Sequence, residues 1–397
     1  MRVAFLSERA SYLDAVSQSQ SAIARTQEQI ATGRKFTTAG QDPVAATQSL
    51  SIETLLANYE RYDRNATLAA NRLGFEETAL KGANEVLMRV RELVLQAANG
   101  PQSAEARAAI AAEVRERLDE LVATANTRDG NGEYLFAGSA TRTQPFVQSG
   151  GAVAYQGDQG RRLQQIAEDQ FVADGDSGAA VFELIRNGNG TFNVTQAAGN
   201  AGTARMGEFT VTDASQYDAG SYRIVFTAPD AWEARDASNA VVAGGAYQPG
   251  DAVSFRGMSI EFAGTPAAGD TFNVEPSANQ SAFATIERLL AALARPDGTS
   301  ADRAALSNEL SNALVDIDQA IGNVLDVRAG VGARLSAIES RQSQNQDATL
   351  ELKGALSGLR DTDYAAALTL LEQQLTALEA AQKSYVRAEG LSLFDYL

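Results

Sequence analysis

The stretch PVAATQSLSIETLLANYERYDRNATLAANRLGFEETALKGANEVLMRVRELVLQAA, running from Pro43 to Ala98, decides the fold. After its first residue no proline interrupts it, and one set of residues recurs at alternating spacings of three and four. The set is Ile52, Leu55, Tyr59, Tyr62, Ala66, Ala69, Leu73, Glu76, Leu80, Ala83, Leu87, Val90, Val94 and Ala97, and only Glu76 breaks its apolar character. Such a repeat lays a single stripe along a helix, and the stripe needs another helix to cover it. At 1.5 Å per residue the stretch predicts a rod of roughly 80 Å. The same spacing returns far downstream at Leu310, Leu314, Ile317, Ile321, Val324, Arg328, Val331, Leu335 and Ile338. Each buried leucine contributes about 2 kcal/mol relative to exposure, so the two stripes are expected to cover each other.

Working outward, Val16, Ile23 and Ile30 stand one heptad apart in a helix predicted to end near Thr32. Its intervening Ser19, Thr26 and Gln27 are polar, which makes a thin seam. Gly33 reads as a C-cap, Arg34–Gln41 as a linker, and Asp42-Pro43 as the N-cap and first residue of the long helix. Asn99-Gly100-Pro101 closes that helix, and Ser103 caps a return helix carrying Ile110, Val114, Leu118, Leu121 and Ala125. Asp129-Gly130-Asn131-Gly132 predicts a hairpin turn, and Glu133–Ala137 a strand.

From Ser139 to Pro276 glycine becomes frequent and short alternating segments appear, such as Tyr222–Phe226 and Ser259–Phe262. Gly190-Thr191-Phe192-Asn193-Val194 echoes Asp270-Thr271-Phe272-Asn273-Val274, read as two similar hairpin strands rather than a duplicated subdomain. Helix resumes at Ser281, pauses at Pro296-Asp297-Gly298 and continues to about Leu359, with the polar stretch Ser340–Thr349 interrupting the seam and expected as a fray or hinge. The last helix carries Tyr364, Leu368, Leu371, Leu375 and Leu378 in register.

These elements predict an α+β fold. Long antiparallel α-helical rods are formed by paired N- and C-terminal segments, and a β-rich distal domain is inserted between them. The expected divisions are a terminal helical domain (1–41 plus 360–397), a rod domain with a β-hairpin (42–138 plus 277–359) and an outer domain (139–276). A self-contained bundle with an ornamental β insertion would explain the rods but not the far ends. The stripes of Val16, Ile23 and Ile30 and of Leu368, Leu371, Leu375 and Leu378 are too narrow for one two-helix hairpin. They are therefore expected to order only when several subunits share burial, which offsets the ordering entropy.

Composition works by exclusion. With no cysteine and no histidine among 397 residues, disulfides, thiolate nucleophiles, imidazole-dependent triads and thiolate or imidazole metal sites are impossible. No cofactor or metal is expected. Asp174-Gly175-Asp176-Ser177-Gly178 faintly resembles a calcium loop but has glycine at a ligand position and no glutamate at the twelfth, so a turn is the better reading. The Gly-rich stretches at 188–190 and 199–202 fit neither a phosphate loop nor a dinucleotide fingerprint. A formal charge of −17 argues against nucleic acid as a partner. No apolar run approaches the ~20 residues of a membrane span, so membrane insertion is not expected. Met1–Glu8 lacks both a long apolar segment and a small-residue cleavage site, so no Sec-type signal is expected. A hydrolase using paired carboxylates in the β lobe, and a coiled-coil tail or scaffold protein, are rival readings.

Several motifs together resemble the flagellin family, and within it the hook-associated proteins. They are Gln29–Phe36 followed by Asp42-Pro43-Val44-Ala45-Ala46; Gly132–Gly138 with Pro145-Phe146 and Tyr155–Asp158; Val327–Leu335; and Ser384-Tyr385 through Leu391-Ser392-Leu393-Phe394. One departure is Gln41, where the family usually shows a second acidic residue. The resemblance implies a structural, non-enzymatic protein, secreted through the flagellar type III system and located in the extracellular flagellum at the hook–filament junction. It implies copies of itself in a junction layer, hook-associated protein 1 and flagellin as axial neighbours, and an FlgN-type export chaperone on Leu368, Leu371, Leu375, Leu378 and Tyr385. The alternative within the family is flagellin, the filament-forming subunit.

Overall fold

The computed structural model describes residues 2–99 and 102–394. Gly100 and Pro101, expected to close the long helix, and the side chains of Leu391 and Phe394 in the C-terminal signature lie outside the described residues. Among the described residues six α-helices run Arg2–Thr32 (α1), Pro43–Ala98 (α2), Ala104–Ala125 (α3), Ala282–Leu293 (α4), Ser300–Arg360 (α5) and Tyr364–Phe394 (α6). Their starts follow local chemistry. The carboxylate of Asp42 accepts the Ala45 amide at 2.9 Å, the Ser103 hydroxyl accepts that of Ala106 at 3.2 Å, and the Ser281 hydroxyl accepts that of Phe283 at 3.1 Å. Ser340–Thr349 does not interrupt the helix: α5 is continuous from Ser300 to Arg360, because nothing there breaks a helix, and Asn345 is itself buried.

Contacts divide the chain into two compact units, Met1–Arg64 with Arg341–Leu397, and Asn65–Ser340. In the first, α1 pairs with α6, and the start of α2 runs antiparallel to the end of α5. Glu53 meets Arg360 at 2.9 Å, and Asp63 meets Gln342 at 3.5 Å. The predicted stripe is offset by one residue here: Leu56 is buried whereas Leu55 is exposed.

In the second unit α2 and α5 are again antiparallel, Glu77 pairing with Arg328 and Arg91 with Asp318. Here both stripes are covered: Ala66 through Val94 on α2 and Leu310 through Ile338 on α5 enter one core with α3 and α4. Glu133–Ala137 is not a strand. Its backbone bonds go to separate places, Tyr134 N–H to Thr141, Leu135 N–H to Thr127 and the Phe136 carbonyl to Gly178, so no ladder forms. The turn before it is as expected, with an isolated Arg128–Tyr134 bridge and Gly132 at φ +80°.

Short hairpins pair Phe146–Ser149 (β1) with Ala152–Tyr155 (β2) and Leu163–Ala167 (β3) with Gln170–Ala173 (β4). Ile185–Arg186 (β5) meets Asn279–Gln280, the last strand of the chain. Between them lie Phe192–Gln196 (β6), Arg205–Val211 (β7), Tyr222–Ala228 (β8), Ala231–Asp236 (β9), Val241–Ala246 (β10), Ala252–Phe255 (β11), Met258–Ala263 (β12) and Thr271–Pro276 (β13). They form a five-stranded sheet, β10-β9-β8-β13-β6, and a three-stranded one, β11-β12-β7. Alternation sends Tyr222, Ile224 and Phe226 from one sheet and Met258, Ile260 and Phe262 from the other into a shared core. The echoed segments are β6 and β13. They lie side by side in this sheet, with Val194 opposite Val274, but the rest of the domain separates them in sequence, so they are not one hairpin.

Helix α5 also holds this β-domain by polar clamps. Asn308 accepts the Met206 amide at 2.7 Å and donates to the Ala204 carbonyl at 3.1 Å. Asp316 accepts the Gly188 amide at 2.8 Å and the Arg288 guanidinium at 2.7 Å. Asn323 donates to the carbonyls of Ala180 at 3.0 Å and Val181 at 2.8 Å.

Candidate functional site

The terminal helices sort the predicted assembly residues between a seam and its flank. Toward α1, α6 presents Ala367, Leu371, Gln374, Leu378 and Tyr385, spaced four, three, four and seven apart. Opposite them α1 offers Tyr12, Val16, Ser19, Ile23, Thr26 and Ile30. The Thr26 hydroxyl is buried, donating to Gln374 Oε1 at 3.0 Å, and Tyr12 stacks on Tyr385 with ring centroids 3.8 Å apart. A polar pair in an otherwise apolar seam fixes register at some expense in stability. Leu368 and Leu375 lie beside this seam, 50% and 47% exposed, on a flank shared with exposed Tyr364 and Val386. The predicted α6 stripe therefore splits: Leu371 and Leu378 are half-buried, while Leu368 and Leu375 stand in solvent.

The sequence reading missed Thr26–Gln374, Ala367 and the Tyr12 contact. A signal was available for Thr26, which sits at seam spacing between Ile23 and Ile30; Gln374 sits likewise between Leu371 and Leu378.

A joint closes this unit. Gly33 ends α1 with φ +69°, its N–H bonded to the Gln29 carbonyl at 2.8 Å. A Cβ there would stand 2.8 Å from the Tyr364 hydroxyl, so only glycine fits both the backbone and the space. Arg34 then bridges Asp361, the Lys35 amide bonds the Arg360 carbonyl at 2.7 Å, and the Thr362 amide bonds the Gly33 carbonyl at 2.9 Å. The Asp363 carboxylate starts α6 by accepting the Ala365 amide at 2.9 Å.

The other motifs occupy a second joint, inside the Asn65–Ser340 unit. Arg72 on α2 pairs with Asp129 and donates to the Tyr134 carbonyl at 2.8 Å. The Tyr155 hydroxyl donates to the Phe136 carbonyl at 3.0 Å, and burial pushes its pKa up to about 12. The Asp158 carboxylate accepts the amides of Ser139 and Gly160 at 2.8 and 2.7 Å, which hold it below the usual carboxylate range. The acidic cluster read as a turn or calcium loop is taken up by arginines: Asp174 by Arg162 at 3.0 Å, and Asp176 by Arg161 at 3.2 Å and by Arg334. Among the described residues no group of three or more Asp, Glu, His or Cys is placed to hold a metal ion. No helix of the described residues is long and apolar enough to cross a membrane.

Two long terminal helices and a β-sandwich inserted far from both ends in sequence are the architecture of a structural protein of flagellin type. Residues 6–141 match the bacterial flagellin N-terminal helical region, 314–397 the C-terminal helical region, and 195–276 the D2-like domain of flagellar hook-associated protein 1. A crystal structure of Xanthomonas campestris FlgL is 38% identical with a TM-score of 0.73, covering 77% of this chain and 99% of that one. The flagellar junction protein FlgL from Legionella pneumophila is 32% identical with a TM-score of 0.72, covering 79% and 100%. Flagellar hook-associated protein 3 of Escherichia coli K12 is 26% identical over 93% of this chain and 90% of its own length. The chain belongs to the flagellar hook-associated protein 3 family, and is a structural component of the bacterial flagellum. The flagellin alternative has less behind it, since the two flagellin models match only the helical ends.

Proposed function

We propose that this chain forms a layer at the hook–filament junction, with copies of itself as lateral neighbours and hook-associated protein 1 and flagellin above and below. It reaches that position outside the cell by flagellar type III export, with an FlgN-type chaperone on α6 beforehand. The observation that carries this reading is the exposed flank of α6, where Tyr364, Leu368 and Leu375 remain exposed although Ala367, Gln374 and Tyr385 already engage α1. Burying Leu368 and Leu375 against a neighbour would contribute roughly 2 kcal/mol, about half of a full burial for each. Residues 1–41 with 360–397 act as the assembling part in this reading, 42–138 with 277–359 as the rod, and 139–276 as the outer domain. The chaperone stripe of Leu368, Leu371, Leu375, Leu378 and Tyr385 spans both the seam and the flank of α6, so it is available as a whole only before α1 docks. The test is Leu368→Asp with Leu375→Asp. The isolated variant should keep its helicity, yet purified hook–basal bodies should carry no filament in its presence. Filaments of normal number would refute the assignment.

A further inference from the structure

Glu76, the one polar residue in the long apolar stripe, is 1% exposed on α2. One of its carboxyl oxygens accepts the Asp176 amide at 2.9 Å, and the other, Oε2, is buried with no hydrogen-bond partner. Arg72 Nε is also buried and unpartnered, and both atoms border the space beside Gly175, where a Cβ would lie 3.7 Å from each.

The surrounding charges are already matched. On α2 itself Arg72 serves Asp129, with Glu133 at 3.8 Å, and Glu77 holds Arg328 of α5. From the segments packed against it, Arg162 serves Glu133 and Asp174, and Arg161 serves Asp176. From α5, Arg334 also serves Asp176. Leaving aside the self-contained Glu77–Arg328 pair, four guanidinium groups (Arg72, Arg161, Arg162, Arg334) face four carboxylates (Asp129, Glu133, Asp174, Asp176). An ionised Glu76 would be a fifth, buried and unmatched, and such a group takes a proton instead.

We infer that Glu76 is a neutral acid in the folded protein and acts as a proton-linked latch: at alkaline pH it becomes a buried charge beside the Asp176 carboxylate, and the desolvation and repulsion, which outweigh the strengthened Asp176 amide bond, loosen the 174–178 segment from α2. Burial and the neighbouring Asp176 carboxylate raise its pKa from 4.5 to about 8, in agreement with the charge tally. The sign follows from linkage. A carboxyl whose folded pKa lies above its unfolded value favours the fold fully below about 4.5, and that contribution is lost as pH rises to about 8. Within this window the folding equilibrium constant should fall about tenfold per pH unit relative to a chain lacking the titration.

The comparison is the full chain against Glu76→Gln, a neutral isostere, by urea unfolding at steps between pH 5 and 9. The ratio of wild-type to variant folding constants should drop about tenfold per unit and level off above about 8. Carbon-13 NMR of the Glu76 carboxyl in the wild-type chain, which needs no variant, should show a midpoint near 8. Parallel pH profiles for the two chains, or a carboxyl titrating in the ordinary range, would overturn the latch.

Discussion

Asn308 offers the sharpest energetic test of how the β-domain is held. It is 1% exposed, and its amide satisfies the Met206 N–H and the Ala204 carbonyl while also donating to Gln196. Ala204 and Met206 are buried, so Asn308→Ala leaves a backbone donor and a backbone acceptor without partners and away from water. At roughly 1–3 kcal/mol for each orphaned group, the loss is about 3 kcal/mol. Asn312, one turn along the same helix, has a side-chain oxygen with no partner, so Asn312→Ala should change stability by less than about 0.5 kcal/mol. Trp232, the one tryptophan in the sequence, lies in the sandwich core, so its fluorescence follows unfolding of the packing that Asn308 holds. With a urea dependence of about 1 kcal/mol per molar for a domain of this size, the Trp232 midpoint should fall by about 2–3 M in Asn308→Ala. Equal midpoints for the two variants would refute the clamp.

Three further outcomes follow. Gly33→Ala should add about 1–2 kcal/mol of backbone strain and press on the Tyr364 hydroxyl, so tryptic cleavage at Arg34-Lys35 should speed up about five- to thirtyfold; an unchanged rate would contradict the joint. Arg72→Leu strands Asp129 in a buried position and should cost about 3–5 kcal/mol, whereas Arg72→Leu with Asp129→Leu should cost clearly less, as a double-mutant cycle by denaturation would show. Leu371→Asp with Leu375→Asp should abolish binding of the unfolded chain to an FlgN-type chaperone in calorimetry; undiminished affinity would remove those residues from the contact.

Legibility followed periodicity and capping chemistry. The stripes from Ala66 to Val94 and from Leu310 to Ile338 are buried where their spacing put them, and Asp42, Ser103 and Ser281 start helices as their side chains dictate. Glu133–Ala137 misled because its apolar run is buried by scattered bonds rather than by a partner strand, which local sequence does not record. Ser340–Thr349 misled because polarity lowers packing without breaking a helix. The site was half legible. Spacing placed the α6 residues on one side of the helix, but a narrow stripe cannot tell where along its width α1 will sit, and the seam leaves Leu368 and Leu375 exposed at its flank while Leu371 and Leu378 are half-buried. The Arg72–Asp129 and Arg334–Asp176 pairs join residues far apart in sequence, and nothing local announces them.

Completion of the terminal helices by neighbouring subunits can be read from hydrogen exchange of the α6 amides from Ala367 to Leu378, measured in the dilute chain and again after incorporation on isolated hooks. Exchange in the dilute chain should be far faster than for Ala66–Val94 of α2, with strong protection once incorporated. Protection of α6 equal to that of α2 in the dilute chain would show that the terminal helices need no neighbour.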